Sequence, residues 1–311
     1  MRPYVFGIDL GGTTVKLGFF MTDGTMLDKW EIPTRKENNG FAILPDIAAS
    51  VRAYLEEKNI ALSEVEGVGI DVPGAVLEGG VVNRCVNLGW GVRPVGAELS
   101  ELLEGIKVAV VNDANAAALG ETRYANKWNN AVLITIGTGI GGGVIINGKI
   151  VPGAFGAAGE IGHFPVCDDE TELCGCGKKG CLEQYASAEG IARLAKKRLG
   201  ETSVESVLRS KESLSAKEVF DAAKEGDKLA LELVEELGQM IGKAMAAVAC
   251  VVDPEAFIIG GGVSKAGPIL IDTIQKYYRQ YAFHASKETA IITASLGNDA
   301  GMYGAMHMII D

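Results

Sequence analysis

The sequence predicts a duplicated α/β fold, in which two α/β domains are separated by a cleft. Two stretches of similar sequence indicate the duplication: residues 8–13 read IDLGGT, and residues 134–139 read ITIGTG. In each stretch an apolar run ends at a glycine turn and a second apolar run follows, which is typical of two strands joined by a turn. The chain has 311 residues, enough for two domains with a sizeable core.

Four strands and two helices are predicted in the first half of the chain. Asp23-Gly24 indicates a hairpin turn after the second strand. Pro45 is best tolerated in the first turn of a helix, so it indicates where the first helix begins. The apolar patterns predict strands at residues 4–10, 15–20, 65–71 and 107–112, and helices at residues 44–55 and 114–124.

The second half repeats the strand, turn and strand, and then becomes mostly helical. Asn147-Gly148 indicates the turn that closes the second strand of this repeat. The patterns predict strands at residues 131–136, 142–146 and 256–259, a mostly helical segment at residues 187–249, and a last helix at about residues 300–310.

Composition and charge argue against nucleic acid and membrane partners. The formal net charge is −11, which gives no general attraction to nucleic acid or to anionic membranes. An apolar strand starts directly after Pro3, so we expect no signal peptide. The uncharged stretch at residues 128–148 has five glycines between residues 137 and 143, which makes it a poor membrane helix. We therefore expect a cytoplasmic protein.

Glycine turns that follow apolar strands are candidate phosphate-binding loops. Glycine lets backbone N–H groups approach phosphate oxygens closely, and threonine hydroxyls can donate to the same oxygens. A carboxylate at the end of a strand, such as Asp9, could hold a magnesium ion through its waters. The alternative is that each turn is an ordinary hairpin turn or helix start. The candidates are Asp9 with Gly11, Gly12, Thr13 and Thr14; Gly137, Thr138 and Gly139; and Gly260, Gly261 and Gly262.

Asn112-Asp113 is the candidate catalytic segment. Transfer of a phosphoryl group to an alcohol depends mainly on positioning and charge stabilisation, with one carboxylate placed to accept the hydroxyl proton. Asp113 follows a buried strand, which would hold it rigidly. The alternative is that Asp113 only caps the helix that follows, a position that aspartate favours.

His163, Cys174, Cys176 and Cys181 form a candidate metal site. Three thiols and one imidazole are a ligand set for a closed tetrahedral zinc site, and four protein ligands indicate a structural ion. The alternative is a group of reactive or accidental cysteines. Three cysteines in one short segment fit metal binding in a reducing compartment better than a disulfide framework.

Glu160 and Glu183 lie next to the metal ligands in the sequence. A carboxylate offers two acceptors, which suits the paired hydroxyl groups of a sugar. The alternative is that both are solvent-exposed glutamates, the commonest environment of this residue. Together with the glycine turns, these acids favour a kinase that acts on a small molecule rich in hydroxyl groups.

These motifs together resemble the ROK family of sugar kinases, within the actin-like/hexokinase superfamily, whose fold is the actin-like ATPase (ribonuclease H-like) fold. The resemblance covers essentially the whole chain. It is carried by residues 8–16 (IDLGGTTVK), 111–117 (VNDANAA), 137–143 (GTGIGGG), 159–163 (GEIGH) and 174–183 (CGCGKKGCLE).

The resemblance implies a role for each matched residue. Asp113 would be the general base, and the sugar site would contain Gly74, Asn112, Asp113, Glu160, His163 and Glu183. His163 would bind zinc through one ring nitrogen and the sugar through the other. Asp9 would position Mg²⁺ through water. The ATP site would contain Asp9, Gly11, Gly12, Thr13, Thr14, Lys16, Gly137, Thr138, Gly139, Gly260, Gly261 and Gly262.

The resemblance also implies the organisation and activity of the chain. We expect an N-terminal domain at residues 1–118, completed by the last helix at about residues 297–311, and a larger C-terminal domain at residues 119–296 with the zinc-binding loop. The expected activity is ATP-dependent phosphorylation of a hexose at its 6-hydroxyl, most simply of glucose. The nearest alternatives are kinases of N-acetylmannosamine, N-acetylglucosamine, mannose or fructose.

Two other classes of protein are alternatives to a sugar kinase. A sugar-sensing transcriptional regulator of the same family would carry an N-terminal helix-turn-helix domain, for which we expect no room before Gly7. An ATPase of the actin-like type that acts on no sugar would have no use for the segments at residues 159–163 and 174–183. We expect the kinase to form a homo-oligomer, a dimer or a tetramer.

Overall fold

The computed structural model describes residues 2–125 and 128–311. The strands are β1 (Tyr4–Leu10), β2 (Thr14–Met21), β3 (Met26–Pro33), β4 (Val65–Val72), β5 (Val76–Leu77), β6 (Val81–Val82), β7 (Val108–Asn112), β8 (Ala131–Ile136), β9 (Ile140–Ile146), β10 (Lys149–Ile150), β11 (Ala256–Gly260) and β12 (Ala290–Thr293). The helices are α1 (Glu37–Gly40), α2 (Ile43–Lys58), α3 (Val95–Leu102), α4 (Asp113–Ala125), α5 (Glu183–Ala186), α6 (Ala188–Glu201), α7 (Ala216–Lys224), α8 (Lys228–Val252), α9 (Pro268–Tyr281) and α10 (Ala300–Ile310).

The first sheet has the order β3-β2-β1-β4-β7. β1 and β2 pair antiparallel, as do β2 and β3, whereas β1, β4 and β7 run parallel. Asp9 lies opposite Asp71, and Val72 lies opposite Asn112. The carboxyl ends of β1, β4 and β7 therefore lie side by side and bring the residues that follow them together.

Different helices pack against the two faces of this sheet. Tyr54 of α2 stacks on Trp30 with 4.4 Å between the ring centroids and meets Phe6 edge-on at 6.2 Å. On the face covered by α10, glycines replace larger residues, because a Cβ atom on Gly7 would lie 2.1 Å from Met302 O and one on Gly69 would lie 1.7 Å from Ala305 O. These glycines let α10 pack directly on the backbone of β1 and β4.

The second sheet has the order β10-β9-β8-β11-β12, with β8, β11 and β12 parallel. The long helix α8 packs against α9 at two glycines of α8. A Cβ atom on Gly238 would lie 2.4 Å from the side chain of Thr273, and one on Gly242 would lie 2.7 Å from Tyr278 N. As with α10, the close approach depends on positions without a side chain.

The chain divides into two compact units. The first contains residues 1–129, 143–158 and 296–311, and the second contains residues 130–142 and 159–295. The duplicated α/β fold class is confirmed. The domain limits given above remain a prediction.

The structure also contains elements that the sequence patterns did not predict, namely β3, β5, β6, β10, β12, α1, α3, α5 and α9. The strand predicted to begin at Gly142 begins at Ile140, because the glycines continue the extended backbone where Gly142 packs against the carbonyl of Gly159. In the described ranges, no helix is long and apolar enough to cross a membrane.

Candidate active site

The first glycine turn joins β1 to β2 and is held by β3. Gly11 N donates to Thr14 O at 3.0 Å and closes the turn. Thr34, directly after β3, donates through its amide to Thr13 O at 2.9 Å and through its hydroxyl to Gly11 O at 2.7 Å. Sequence patterns missed Thr34, because its contact with the turn depends on the pairing of β3. The turn is therefore fixed before any ligand binds.

Two acids occupy the ends of β1 and β4 beside this turn. Lys16 Nζ donates to Asp9 Oδ2 at 2.7 Å and to Asn298 O at 3.2 Å. Asp71 is fully buried. Burial raises the pKa of Asp71 well above its ordinary value, and the charges of Asp9 and Asp113 raise it further. Asp71 was not among the predicted site residues, although an acid in the apolar run of β4 was a signal.

Asn112 and Asp113 stand at the junction of β7 and α4. Asn112 Oδ1 accepts from Asn115 N at 3.1 Å, which is the hydrogen bond of a helix cap. The side-chain Nδ2 of Asn112 donates to Gly74 O at 3.1 Å and to Asp113 Oδ1 at 2.9 Å. The cap is thus made by Asn112, whereas the side chain of Asp113 is exposed and oriented by its neighbour.

The second glycine turn lies at the start of α6. Gly137 N donates to Gly139 O at 2.9 Å, and Ala188 N donates to Gly137 O at 2.8 Å. The turn therefore lies against the N-terminus of a helix of 14 residues, where N–H groups and the helix dipole favour anions.

A cavity of about 610 Å³ adjoins this turn. Gly262 lines the cavity, whereas Gly260 ends β11 and Gly261 packs on Ile136, since a Cβ atom there would lie 2.4 Å from Ile136 O. Sequence patterns missed the α7 side of the cavity. The residues that line the whole cavity are Gly137, Thr138, Ala188, Ser215, Ala216, Lys217, Phe220, Asp221, Lys224, Gly262, Val263, Lys265 and Ala266.

The four predicted metal ligands converge. One ligand atom from each of His163, Cys174, Cys176 and Cys181 lies within 4.8 Å of all the others. Cys174 Sγ is 3.7 Å from His163 Nδ1, and Cys176 Sγ is 3.6 Å from Cys181 Sγ. Burial raises the pKa of the Cys181 thiol to about 12. Two sulfurs on one tetrahedral zinc ion stand about 3.8 Å apart for Zn–S bonds of about 2.3 Å, so the donor set fits that ion.

The loop that carries the cysteines is anchored by its backbone. Cys174 N donates to Lys178 O at 2.7 Å, and Val166 N donates to Gly180 O at 2.8 Å. Gly180 has φ of 73°, and a Cβ atom there would lie 1.8 Å from Cys167 O. No other residue type fits this position without a shift of the loop.

Glu183 lies between the metal ligands and the second glycine turn. Its Oε2 accepts from Ile140 N at 2.9 Å, and its Oε1 is 3.7 Å from Cys174 Sγ. His163 turns Nδ1 toward the sulfurs, while its Nε2 is 3.9 Å from Glu160 Oε2. Glu160 is exposed. The two nitrogens of His163 thus face two different groups.

A partly buried ion pair lies beside this loop. Glu170 Oε2 accepts from the Tyr185 hydroxyl at 2.6 Å and from Arg193 Nη2 at 2.8 Å. The hydrogen bond from Tyr185 and the pairing with Arg193 lower the pKa of Glu170 to about 2, against the opposing effect of burial. Sequence patterns did not indicate this network, because its three members are separated by loops whose course no local pattern predicts.

Within the first unit, the structure therefore brings together Asp9 with the first turn and Lys16, and Gly74 with Asn112 and Asp113. Within the second unit, it brings Gly137, Thr138 and Gly262 to one cavity and places Glu183 beside the metal ligands.

Comparison with known proteins identifies the family of the chain. The ROK family profile matches residues 5–311, so the chain belongs to the ROK family. A glucokinase of Halalkalibacterium halodurans is 42% identical, with 97% of this chain and 93% of the relative covered. A glucokinase of Thermotoga maritima is 36% identical, with 98% and 96% covered. The crystal structure of a ROK family glucokinase from Streptomyces griseus, in complex with glucose and AMPPNP, has a TM-score of 0.76 and 35% identity, with 98% and 99% covered.

Proposed function

We propose that this protein is an ATP-dependent glucokinase that phosphorylates glucose at its 6-hydroxyl. The observation that carries this conclusion is the likeness to glucokinases along nearly the whole chain, at 42% and 36% identity. The similar fold of a relative that binds glucose and AMPPNP supports it. Every catalytic segment that the family resemblance requires is present in the described residues.

Asp113 is proposed as the general base. Its carboxylate would accept the proton of the 6-hydroxyl while that oxygen bonds to the γ-phosphorus of ATP and ADP leaves. Support comes from the exposure of Asp113 and from Asn112, which caps α4 and orients the carboxylate. A base held at the junction of a strand and a helix loses little orientational freedom before reaction.

ATP is proposed to bind the two glycine turns and the cavity beside α7. The cavity of about 610 Å³ has the size of a small-molecule site, and Lys265 on its lining would offset phosphate charge, whereas Lys217 and Lys224 pair with Asp221. Thr13 and Thr138 would donate to phosphate oxygens. When bound, Mg²⁺ neutralises charge on the phosphates, and Asp9 would hold it through water.

The four-residue cluster is proposed to hold a structural zinc ion. Support comes from the donor set and from the 3.6 and 3.7 Å separations, which match a tetrahedral site. When bound, the ion would fix the loop and the ring of His163. His163 Nε2, Glu160 and Glu183 would then bind sugar hydroxyls; the hydrogen bond from Ile140 N to Glu183 fixes one of these acids.

Product identification tests the proposed function. Purified protein, glucose and Mg-ATP should yield ADP and glucose 6-phosphate in equal amounts, with the position of the phosphate established by ³¹P NMR. Glucose phosphorylated at another hydroxyl would contradict the assignment of the 6-hydroxyl, and ATP hydrolysis without sugar phosphate would contradict the kinase itself. Metal analysis of the same preparation should find about one zinc per chain, as expected for a closed four-ligand site.

The location and assembly of the protein are also proposals. None of the six cysteines forms a disulfide bond, which suits the reducing conditions of the cytoplasm. Light scattering coupled to size-exclusion chromatography measures the mass of the protein in solution and so tests the expected homo-oligomer.

A further inference from the structure

Asp71 is a buried acid that lacks a hydrogen bond. Its side chain is fully buried, and neither of its oxygens has a hydrogen-bond partner of acceptable geometry among the described residues. An ionised carboxylate in such a place is costly unless it is paired or coordinates a metal. Asparagine or a small apolar residue would avoid this cost, so the acid at the end of β4 calls for an explanation.

The side chain of Asp71 lies next to that of Asp9. The two residues are register partners on the parallel strands β1 and β4, so their side chains leave the same face of the sheet. A Cβ atom placed on Gly301 would lie 2.5 Å from Asp71 Oδ2 and 3.2 Å from Asp9 Cγ. Both carboxyl groups therefore converge beside Gly301, in the first turn of α10, where the positive end of the helix dipole lies.

The charges at this point do not balance. Asp9 and Asp71 are neighbouring carboxyl groups in register on β1 and β4, and Lys16 is the cation beside Asp9. Lys16 already donates to Asp9 Oδ2. When Asp9 and Asp71 are both ionised, neither can donate a hydrogen bond to the other. A divalent cation would supply the missing positive charge, and carboxylate oxygens are the ligands that such cations prefer.

We infer that Asp71 is a second carboxylate, behind Asp9, of the site that binds the divalent cation accompanying ATP. This inference rests on the proposed function for the identity of the nucleotide but not for the binding of the cation. Asp71 is then a positioning residue: it adds negative charge at the cation and restrains the carboxylate of Asp9. Asp71→Asn keeps the shape of the side chain and removes its charge.

Binding of Mn²⁺ tests the inference without any measurement of activity. Electron paramagnetic resonance of free Mn²⁺ gives the dissociation constant for the full chain alone and with ADP. Asp71→Asn should weaken Mn²⁺ binding about tenfold, within the range of about 10- to 100-fold for residues that support metal ligands. ADP binding without metal should stay unchanged. Glu121→Gln is the matched control, since Glu121 is a buried acid of the same unit whose Oε1 accepts from Leu296 N.

The outcomes separate the inference from the proposed function. Unchanged Mn²⁺ affinity in a folded Asp71→Asn protein, or equal weakening in Glu121→Gln, overturns the role of Asp71 even if glucose is phosphorylated. Wild-type protein that binds no Mn²⁺, with or without ADP, overturns it as well. If Asp71→Asn does not fold, Asp71→Ser is measured under the same criteria, and failure of both to fold assigns Asp71 to stability and overturns the inference.

Discussion

Replacement of Gly180 by alanine tests whether the geometry of the cysteine loop controls zinc and sugar binding. The substitution removes no metal ligand. It places a Cβ atom 1.8 Å from Cys167 O, at a residue with φ of 73°. Gly177→Ala is the matched control in the same loop, because Gly177 has φ of 85° but no atom within 4 Å of the new Cβ.

The structure sets the size of the difference. A left-handed alanine costs roughly 1–2 kcal/mol in both variants. In Gly180→Ala the contact must also open from 1.8 Å to at least 3.0 Å, a shift of 1.2 Å against backbone. Overpacking of this kind costs about 1–3 kcal/mol more. If this overpacking destabilises the zinc-bound loop and not the zinc-free loop, it lowers the free energy of zinc binding by the same amount. At about 1.4 kcal/mol per factor of ten, the zinc affinity of Gly180→Ala should be about 5- to 150-fold lower than that of Gly177→Ala.

Competition with a chromogenic chelator gives the zinc affinities, and initial rates at varied glucose and ATP give both KM values. We expect Gly180→Ala to raise the KM for glucose more than the KM for ATP, since His163 is one of the four candidate zinc ligands and Glu183 contacts Cys174. Equal zinc affinity in Gly180→Ala and Gly177→Ala would refute the argument from loop geometry. A KM effect confined to ATP would refute the link from zinc to the sugar.

Three further predictions concern single residues. Asp113→Asn should lower kcat about 10²-fold or more and leave glucose affinity by calorimetry nearly unchanged, whereas near-wild-type turnover would remove Asp113 from the role of base. Glu170→Gln should lower the urea midpoint at pH 7. The pKa of Glu170 is lowered from its ordinary value of 4.5 to about 2 in the folded protein. The ionised carboxylate therefore contributes fully to the free energy of unfolding above pH 4.5, and this contribution is lost as the pH falls toward the folded pKa. The difference in urea midpoint between Glu170→Gln and wild type should thus shrink between about pH 5 and pH 3. A difference that grows in this range would contradict the pairing with Tyr185 and Arg193. Gly304→Ala should lower the stability by about 3 kcal/mol in thermal unfolding, since its Cβ atom would lie 1.7 Å from Ala116 O; a melting temperature within 1 °C of wild type would contradict this close packing of α10 on α4.

Local sequence patterns predicted the features that depend on neighbours in the chain. The strands before the glycine turns, the helix after Asn112 and the cluster of three cysteines are all short-range patterns. The site residues within each unit followed from the same patterns together with the family resemblance. Their catalytic and binding roles remain proposals.

Features that depend on long-range packing escaped the sequence analysis. β3 was missed because it lies at the edge of its sheet, where half of its side chains are exposed and the apolar signal is weak. Thr34 reaches the first glycine turn only after β3 pairs with β2. The burial of Asp71 depends on α10, which is more than 200 residues away in the chain. No local pattern carries such information.

The most direct test of the account is ADP release from Mg-ATP with a panel of sugars. The panel contains glucose, mannose, fructose, N-acetylglucosamine and N-acetylmannosamine, together with a blank without sugar. A glucokinase should give the highest kcat/KM with glucose and almost no ADP release in the blank. A higher kcat/KM with an N-acetylated sugar would contradict the assignment of glucose. Equal ADP release with and without sugar would contradict the assignment of a sugar kinase.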